Sequence, residues 1–449
     1  MKKTAICIMK SSKYTEGRYS MKRKLISGLL LATMTLGLLA GCGQKEEAPA
    51  AEEVVTEEAA EEAAEETTGE KTTVKFYGKC IEYSSGPMMT DALEAKLADK
   101  YDIESIQIDW ANQDKVIRTG IASGEPCDIY NYTPQLTLAN MADMALDLTP
   151  YLEADPEWKA QFNAGDLAAG TTADGKIVNI PWELNFSVIL ANKAALEEVI
   201  GTIPESWTYV EFTEACQKIK DAGYWPFANG TDNNRADWLF RNAMLSEVVT
   251  ADKVAEYLSG ELSYEGEEAK RALENVKSLY DNEFMYPGEG AVTAKNDEVK
   301  AAFYQGKLLM MPEIAAGAKA TASEAEFEVV AIPWPSSNTE AAILGGLNGF
   351  FIPANSANPD AAVEVLKAYT AADIQAIHAA EGFIPANVNV EVEDAFVKTV
   401  AAQSSTLNTN EPFTTAINDY RVNQLMADLI LNGGVETAVA GLEAARAAE

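Results

Sequence analysis

The side chains that most often carry enzymatic chemistry are scarce or scattered in this sequence. Among 449 residues there is one histidine, His378, in the helix-like stretch AADIQAIHAAEG. A single histidine excludes any site that needs two, including the HExxH pattern that binds zinc on one helical face, and a lone helical histidine is far more often structural than catalytic. No GxSxG turn and no GxxxxGK[ST] loop occurs, so serine-elbow hydrolysis and nucleotide hydrolysis lack their signatures. Paired carboxylates, as glycoside hydrolysis requires, carry no information among 69 Asp and Glu. TDNNRAD lacks the spacing and closing glutamate of an EF-hand loop. No metal-ligand set and no cofactor motif emerges. Beyond Cys42 only Cys80, Cys127 and Cys216 follow, too few and too scattered for a disulfide framework. A Cys80–Cys127 pair and free buried thiols both remain open.

The net charge of −34 makes nucleic acid a poor partner and favours a neutral or cationic cargo, unless a local basic pocket overrides the global sign. Chain length allows a large core and two domains or so.

Cys42 stands apart from the other cysteines. Before it come Lys22, Arg23 and Lys24 and then the apolar residues 25–40, broken by Ser27, Gly28 and Gly37. That run falls short of the roughly 20 residues of a helical membrane span and suits an export signal. Leu39, Ala40, Gly41 and Cys42 resemble the lipobox of bacterial lipoproteins, in which the cysteine is acylated and becomes the new N-terminus. Residues 1–42 therefore read as leader and lipoprotein signal, with translation expected to begin at Met21, because signal sequences usually start at their charged region. Residues 43–73 hold eleven acids, two lysines and no aromatic residue, a composition unable to bury enough apolar surface to fold alone. As a coil of about 30 residues this stretch reaches roughly 30 Å, enough for a tether. The expected location is the outer face of the cytoplasmic membrane, held by the lipid.

The elements beyond the tether alternate. TVKFYG reads as a strand, MTDALEAKLADKY as a helix, IESIQIDW as a strand, DKVIRTGIASG as a helix ending at Gly124, and CDIYNY as a strand. That order is the signature of a parallel sheet covered by helices, whose ligands sit beyond the carboxyl ends of the strands, here near Tyr77, Trp110, Asn131 and Tyr132. In ESWTYVEFTEACQKIKDAG, Thr208 and Glu211 form a capping box, and Phe212, Ala215, Cys216 and Ile219 share one helical face. Cys216 is therefore expected in a core.

Several fragments recur in a telling order: LADKY, IASGEPCDIY, GKIVNIPW, ILANKAALEE, IPESWTYVEF, GYWPFANG, VKAAFYQGKLLMM, FEVVAIPWP, LGGLNGFFIPANSANPDAAVEVLKAYT and AEGFIPAN. Together they resemble the family 1 extracellular solute-binding proteins, receptors of ATP-driven sugar importers, over nearly all of residues 74–449. The sequence departs from the pattern at Ala191, where an aromatic is expected, and at Pro312, Glu313 and Ile314, where a Gly-Trp-like pair is expected. The resemblance implies an α/β, two-lobed periplasmic-binding-protein-like fold with a ligand cleft between the lobes. Three hinge crossovers are expected near residues 182–186, 345–348 and 381–385. The N-terminal lobe would comprise residues 74–181 plus about 349–382, and the C-terminal lobe about 182–348 plus 383–449. Local sequence agrees, since each crossover carries Gly, Pro or Asn, and Asn358 before Pro359 is a helix N-cap followed by proline. Lobe closure around solute, recognised by the permease subunits of an ABC importer, is the implied mechanism.

Sugars present apolar C–H faces and a rim of hydroxyls, so their sites pair aromatic rings with carboxylates and amides. Candidates at strand ends and crossovers are Asn131 and Tyr132 in the first lobe, Trp182, Glu183 and Asn185 at the first crossover, Asn229 and Trp238 in the second lobe, and Asn348 beside Gly345 and Gly346. Glu313 sits where the family often places a second-lobe contact, and Phe413 adds an aromatic from the C-terminal helices. Trp110, Trp158, Trp207, Trp225 and Trp334 read as packing residues. Gly345 and Gly346 fit either a tight turn or a close ligand approach. The alternatives are a secreted glycoside hydrolase, a carrier of a non-sugar solute such as a cationic metabolite, and an adhesion lipoprotein, which does not account for the lobed element order.

Replacement of Cys42 by Ser is expected to abolish acylation and leave the protein released or held by an uncleaved signal. Detergent partitioning and lipid labelling measure this, and unchanged labelling would refute the anchor. Export of a chain starting at Met21 should match that of the full chain.

Overall fold

A computed structural model describes residues 71–448 apart from 79–82, 110–111, 233–234, 249, 338–342 and 409–410. Cys42, the acidic segment up to residue 70, Cys80 and Trp110 lie outside the described residues.

The strands among these residues are β1 (Thr72–Tyr77), β2 (Tyr101–Ile106), β3 (Ile129–Asn131), β4 (Ile180–Asn192), β5 (Met310–Ile314), β6 (Val329–Ile332), β7 (Ile343–Phe351) and the two-residue β8 (Leu407–Asn408). β1 takes in Thr72 and Thr73, so the folded chain begins slightly ahead of Val74. Its alternation buries Val74 and Phe76 completely. β2 and β3 flank β1 in parallel, with the helices Gly86–Leu97 and Gln113–Ser123 as crossovers. The second of these ends at Gly124, whose φ of 79° lets its N–H reach the Ile121 carbonyl in a left-handed cap. β2 spans Tyr101–Ile106 rather than the later IESIQIDW window, because its register is set by pairing Thr72 with Tyr101; alternation alone does not locate a partner.

From β3 onward the sheet changes direction. β7 pairs antiparallel with β3 and with the first half of β4, while the second half of β4 lies between β5 and β6. β4, with 13 residues, thus belongs to two packed regions. Pro312 is tolerated in β5 because that strand ends the sheet path.

Each region has its own apolar core. The first gathers Phe76, Leu93, Trp158, Trp182, Phe350, Leu366 and Tyr369, beside a smaller cluster of Tyr77, Tyr130, Tyr132 and Phe351. The second collects Phe186, Leu190, Phe212, Phe240, Leu273, Phe303 and Leu429 among others. The helix Tyr209–Asp221 enters it through the expected capping box: Thr208 accepts from the Glu211 N–H at 3.2 Å, and Glu211 accepts from the Thr208 N–H at 2.8 Å. Cys216 is fully buried on that helix. Cys127 is a half-buried free thiol pushed up by burial. Trp158, Trp207 and Trp334 are core residues, and Trp225 is half-buried at the surface of the second core.

The seam between the cores runs through the middle of β4 and β7. Glu183 pairs with Asn348, Leu184 with Leu347, Asn185 with Gly346 and Phe186 with Gly345, after a register shift between Pro181 and Glu183. The third expected crossover joins them: the Leu184 N–H donates to the Ile384 carbonyl at 2.8 Å, and the Ala386 N–H to the Trp182 carbonyl at 2.9 Å. Gly345 and Gly346 lie within a strand, not in a turn.

Trp182 is 1% exposed and packs on Phe350, His378 and Tyr369 with ring centroids 5.7, 4.7 and 5.9 Å away. Its replacement by Ala is expected to cost about 3–5 kcal/mol in denaturant unfolding.

Glu313 is a fully buried charge of the second region, met by Arg235 at 2.9 Å, Lys300 at 2.5 Å and the Thr321 hydroxyl at 3.1 Å. Burial pushes its carboxyl up, but the charges of Arg235 and Lys300 outweigh this and hold it below the usual range. A depressed carboxylate stabilises the fold above its unfolded pKa of about 4.3, and that contribution fades as pH falls through the folded value. Thermal midpoints should therefore decline below about pH 4.3, and Glu313→Gln should lower the midpoint at neutral pH while flattening the acid slope.

Candidate functional site

An open cavity of about 740 Å³ lies over the strand seam. Its floor is formed by Asn185, Phe186 and Ser187 of β4 and by Leu344, Gly345, Gly346, Leu347 and Asn348 of β7. Gly345 and Gly346 put no side chains on this floor and so leave the cavity open down to the backbone; a Cβ on Gly346 would come within 3.6 Å of Gln135.

One wall is the helix Pro134–Asn140, which follows β3 directly and contributes Thr133, Gln135, Leu136 and Ala139. Thr133 caps it, accepting from the Leu136 N–H at 3.3 Å, with Pro134 in the first turn. Gln135 Nε2 is buried without a hydrogen-bond partner.

The other wall comes from the second core. Trp238 opens the helix Trp238–Glu247, and Arg241 lies one turn further on the same face. Leu258, Glu411, Phe413, Thr414, Asn418 and Arg421 complete the lining. Arg241 grips Glu411 with two hydrogen bonds, the Nε bond being 2.6 Å long. Arg421 pairs with Asp237, donates to Asn418 at 2.8 Å and lies 4.8 Å over the Phe413 ring. Burial pushes Glu411 up, but the charge and hydrogen bonds of Arg241 leave it below the usual carboxylate range. Burial pushes the Asp237 carboxyl up against the pull of Arg421 and Arg241. Asp237 Oδ1 and Arg421 Nε are buried without hydrogen-bond partners. The cleft is therefore lined by two cations, Arg241 matched by Glu411 in the lining and Arg421 by the buried Asp237, with the aromatic rings of Trp238 and Phe413 beside them. Chemically it suits a polar ligand with flat apolar faces.

Of the residues singled out from sequence, Asn185, Trp238, Asn348 and Phe413 line this cavity. The others do not, and each has another place. Asn131 and Tyr132 are buried at the end of β3, with the Tyr132 hydroxyl donating to Asp114 at 2.8 Å. Trp182 is in the first core. Glu183, fully buried, accepts from Asn348 Nδ2 at 2.6 Å at the strand seam. Asn229 pins the loop before Trp238 by donating to the Arg235 carbonyl at 2.9 Å. Glu313 holds Arg235, whose guanidinium lies 4.8 Å over the Trp238 ring, and so steadies the wall from behind. The residues that sequence reasoning missed are Gln135, Arg241, Glu411 and Arg421. Two had a local signal: Arg241 follows Trp238 at helical spacing, and Glu411 stands two residues before Phe413. Among the described residues no group of three or more His, Cys, Asp and Glu has the placement to hold a metal ion.

The comparisons with known proteins agree with this architecture. The family model of bacterial extracellular solute-binding proteins matches residues 89–404. No curated protein matches the chain in sequence. Similar solved structures include a family 1 extracellular solute-binding protein from Bifidobacterium longum subsp. infantis, at 20% identity and a TM-score of 0.69, covering 85% of this chain and 100% of that one. The apo form of RafE from Streptococcus pneumoniae aligns at 18% identity and a TM-score of 0.68, covering 83% and 97%. The GacH receptor of Streptomyces glaucescens, solved unliganded and with acarbose, aligns at 17% and 0.66, covering 84% and 98%. At these identities the structures speak for the fold, and the family match carries the assignment: the chain belongs to the bacterial extracellular solute-binding proteins, a family of carriers and not of enzymes.

Proposed function

We propose that the protein is a lipid-anchored receptor that captures a neutral carbohydrate, an oligosaccharide, by lobe closure and delivers it to the permease of an ABC importer. The observation that carries this reading is a cleft whose two walls come from different cores and whose floor is the strand pair linking them. Bending of that pair brings the walls together, and both must touch the ligand for closure to be favoured. The lobes meet at the seam, near residues 181/182, 348/349 and 382/383. The ligand contacts are Trp238, Phe413, Asn185 and Asn348, joined by Gln135, Arg241, Glu411 and Arg421.

Charge within the cleft supports a neutral cargo over a cationic metabolite. Arg241 is matched by Glu411 and Arg421 by Asp237, so the overall negative charge of the chain is not concentrated where the ligand sits. Paired, planar, charged groups beside aromatic rings suit hydroxyl pairs and C–H faces. Similar structures include RafE with raffinose and a chitin oligosaccharide binding protein, which make oligosaccharides the first candidates. Cys42 would anchor the receptor and residues 43–71 would space it from the membrane.

A thermal-shift panel of raffinose, maltotriose, xylotriose and chitotriose against spermidine and arginine, on a chain starting at residue 71, tests the cargo class. A ligand at 100 times its Kd should stabilise by about 2.7 kcal/mol. Product analysis should return it unchanged. With the sugar that binds, Trp238→Ala and Phe413→Ala are each expected to weaken affinity by about thirtyfold or more in titration calorimetry. Parental affinity in both would place the ligand elsewhere, and preference for spermidine would overturn the carbohydrate reading.

A further inference from the structure

Outside the cleft, one group of buried polar side chains joins all three chain crossovers. Glu183 of β4 accepts from Asn348 of β7 at 2.6 Å and from the Tyr83 hydroxyl at 3.4 Å, and its backbone bridges to Pro385 of the third crossover. His378, the only histidine of the chain, is fully buried beside it. Its Nδ1 meets the Ser85 hydroxyl at 2.8 Å, and its ring stacks on Phe383 of the third crossover at 4.3 Å and leans on Trp182 of the first core at 4.7 Å.

The remaining atoms of this pair face each other without bonding. His378 Nε2 and Glu183 Oε1 are 3.6 Å apart, and each is buried with no hydrogen-bond partner. Among the described residues no lysine or arginine pairs with Glu183. A buried carboxylate oxygen and a buried ring nitrogen left unsatisfied are both unfavourable. A shift of about 0.8 Å would bring them to the 2.7–2.9 Å of a charge-assisted bond. Glu183 lies on the strand pair that links the two cores and is also reached by the Tyr83 hydroxyl, while His378 Nδ1 is bonded to Ser85.

We propose that Glu183 and His378 form a latch whose hydrogen bond is made when the lobes close, so that two positioning residues outside the cleft set its affinity for ligand. The inference rests on the carrier reading above. The other titratable and charged groups around His378 are Tyr83, Tyr369 behind Trp182, Glu381 at the end of its own helix, the Lys96–Asp373 pair at the exposed start of that helix, and Lys319, which donates to the Ala380 carbonyl at 3.0 Å. Of these groups Glu183 alone faces Nε2.

The single histidine makes the test free of assignment. In ¹⁵N-histidine-labelled, tag-free protein, the ring nitrogen signals of His378 are followed while raffinose, xylotriose and chitotriose are added, and Kd is measured for the parent and two variants. For a sugar that binds, the Nε2 signal should move toward that of a strong donor. Glu183→Gln, which keeps the shape, and His378→Asn should each weaken binding by about three- to tenfold. Unmoved ring signals on binding, or parental affinity in both variants, would overturn the latch while leaving the carrier intact. Failure of every sugar to bind the parent protein would overturn the carrier reading and the latch with it.

Discussion

The antiparallel pairing of β4 with β7 is the contact on which the rest of the structure depends. Both strands begin in one core and end in the other, so their backbone hydrogen bonds join two masses that otherwise pack separately. Within the shared stretch Glu183, Asn185, Gly345, Gly346 and Asn348 are small or polar and stand beside Leu184, Phe186 and Leu347. The backbone ladder and the buried Glu183 carboxylate hold the seam together with the packing of those three apolar side chains. A sheet held mainly by backbone bonds twists without breaking them, which suits a hinge better than an interdigitated core.

Buried charge is handled in two ways. Glu313 is compensated by two cations and a hydroxyl, and the cleft pairs Arg241–Glu411 and Arg421–Asp237 are likewise matched. Such pairs offset part of the desolvation cost. Glu183 instead has an amide, a phenol and an imidazole that does not reach it. The charge-paired groups stand in or behind the cleft wall; the carboxylate without a cation partner stands at the seam between the cores.

The same contrast orders the aromatics. Trp238 and Phe413 both line the cleft and each carries an arginine over its ring, so their position is set electrostatically as well as by packing. Trp182 is enclosed by Phe350, Tyr369 and His378 and belongs to the first core.

Sequence alone determined the elements whose information is local. The alternating strands and periodic helices around β1 to β3, the left-handed cap at Gly124, the capping box of Thr208 and Glu211, the core face of Cys216 and the helix start at Asn358 and Pro359 all follow from neighbours within a few residues. The order of fragments also pointed to the family. Tertiary structure decided what depends on distant partners. Two tryptophans at comparable breaks were indistinguishable in sequence, and the approach of Phe350 and His378 to Trp182, far along the chain, made one a core ring and left Trp238 at the cleft. Glu183 became a seam residue rather than a cleft contact for the same reason, since its environment is made by Asn348 and His378, more than 160 residues away. Spacing along a chain encodes which side chains share a face of one helix or strand; only the packed fold decides what that face meets.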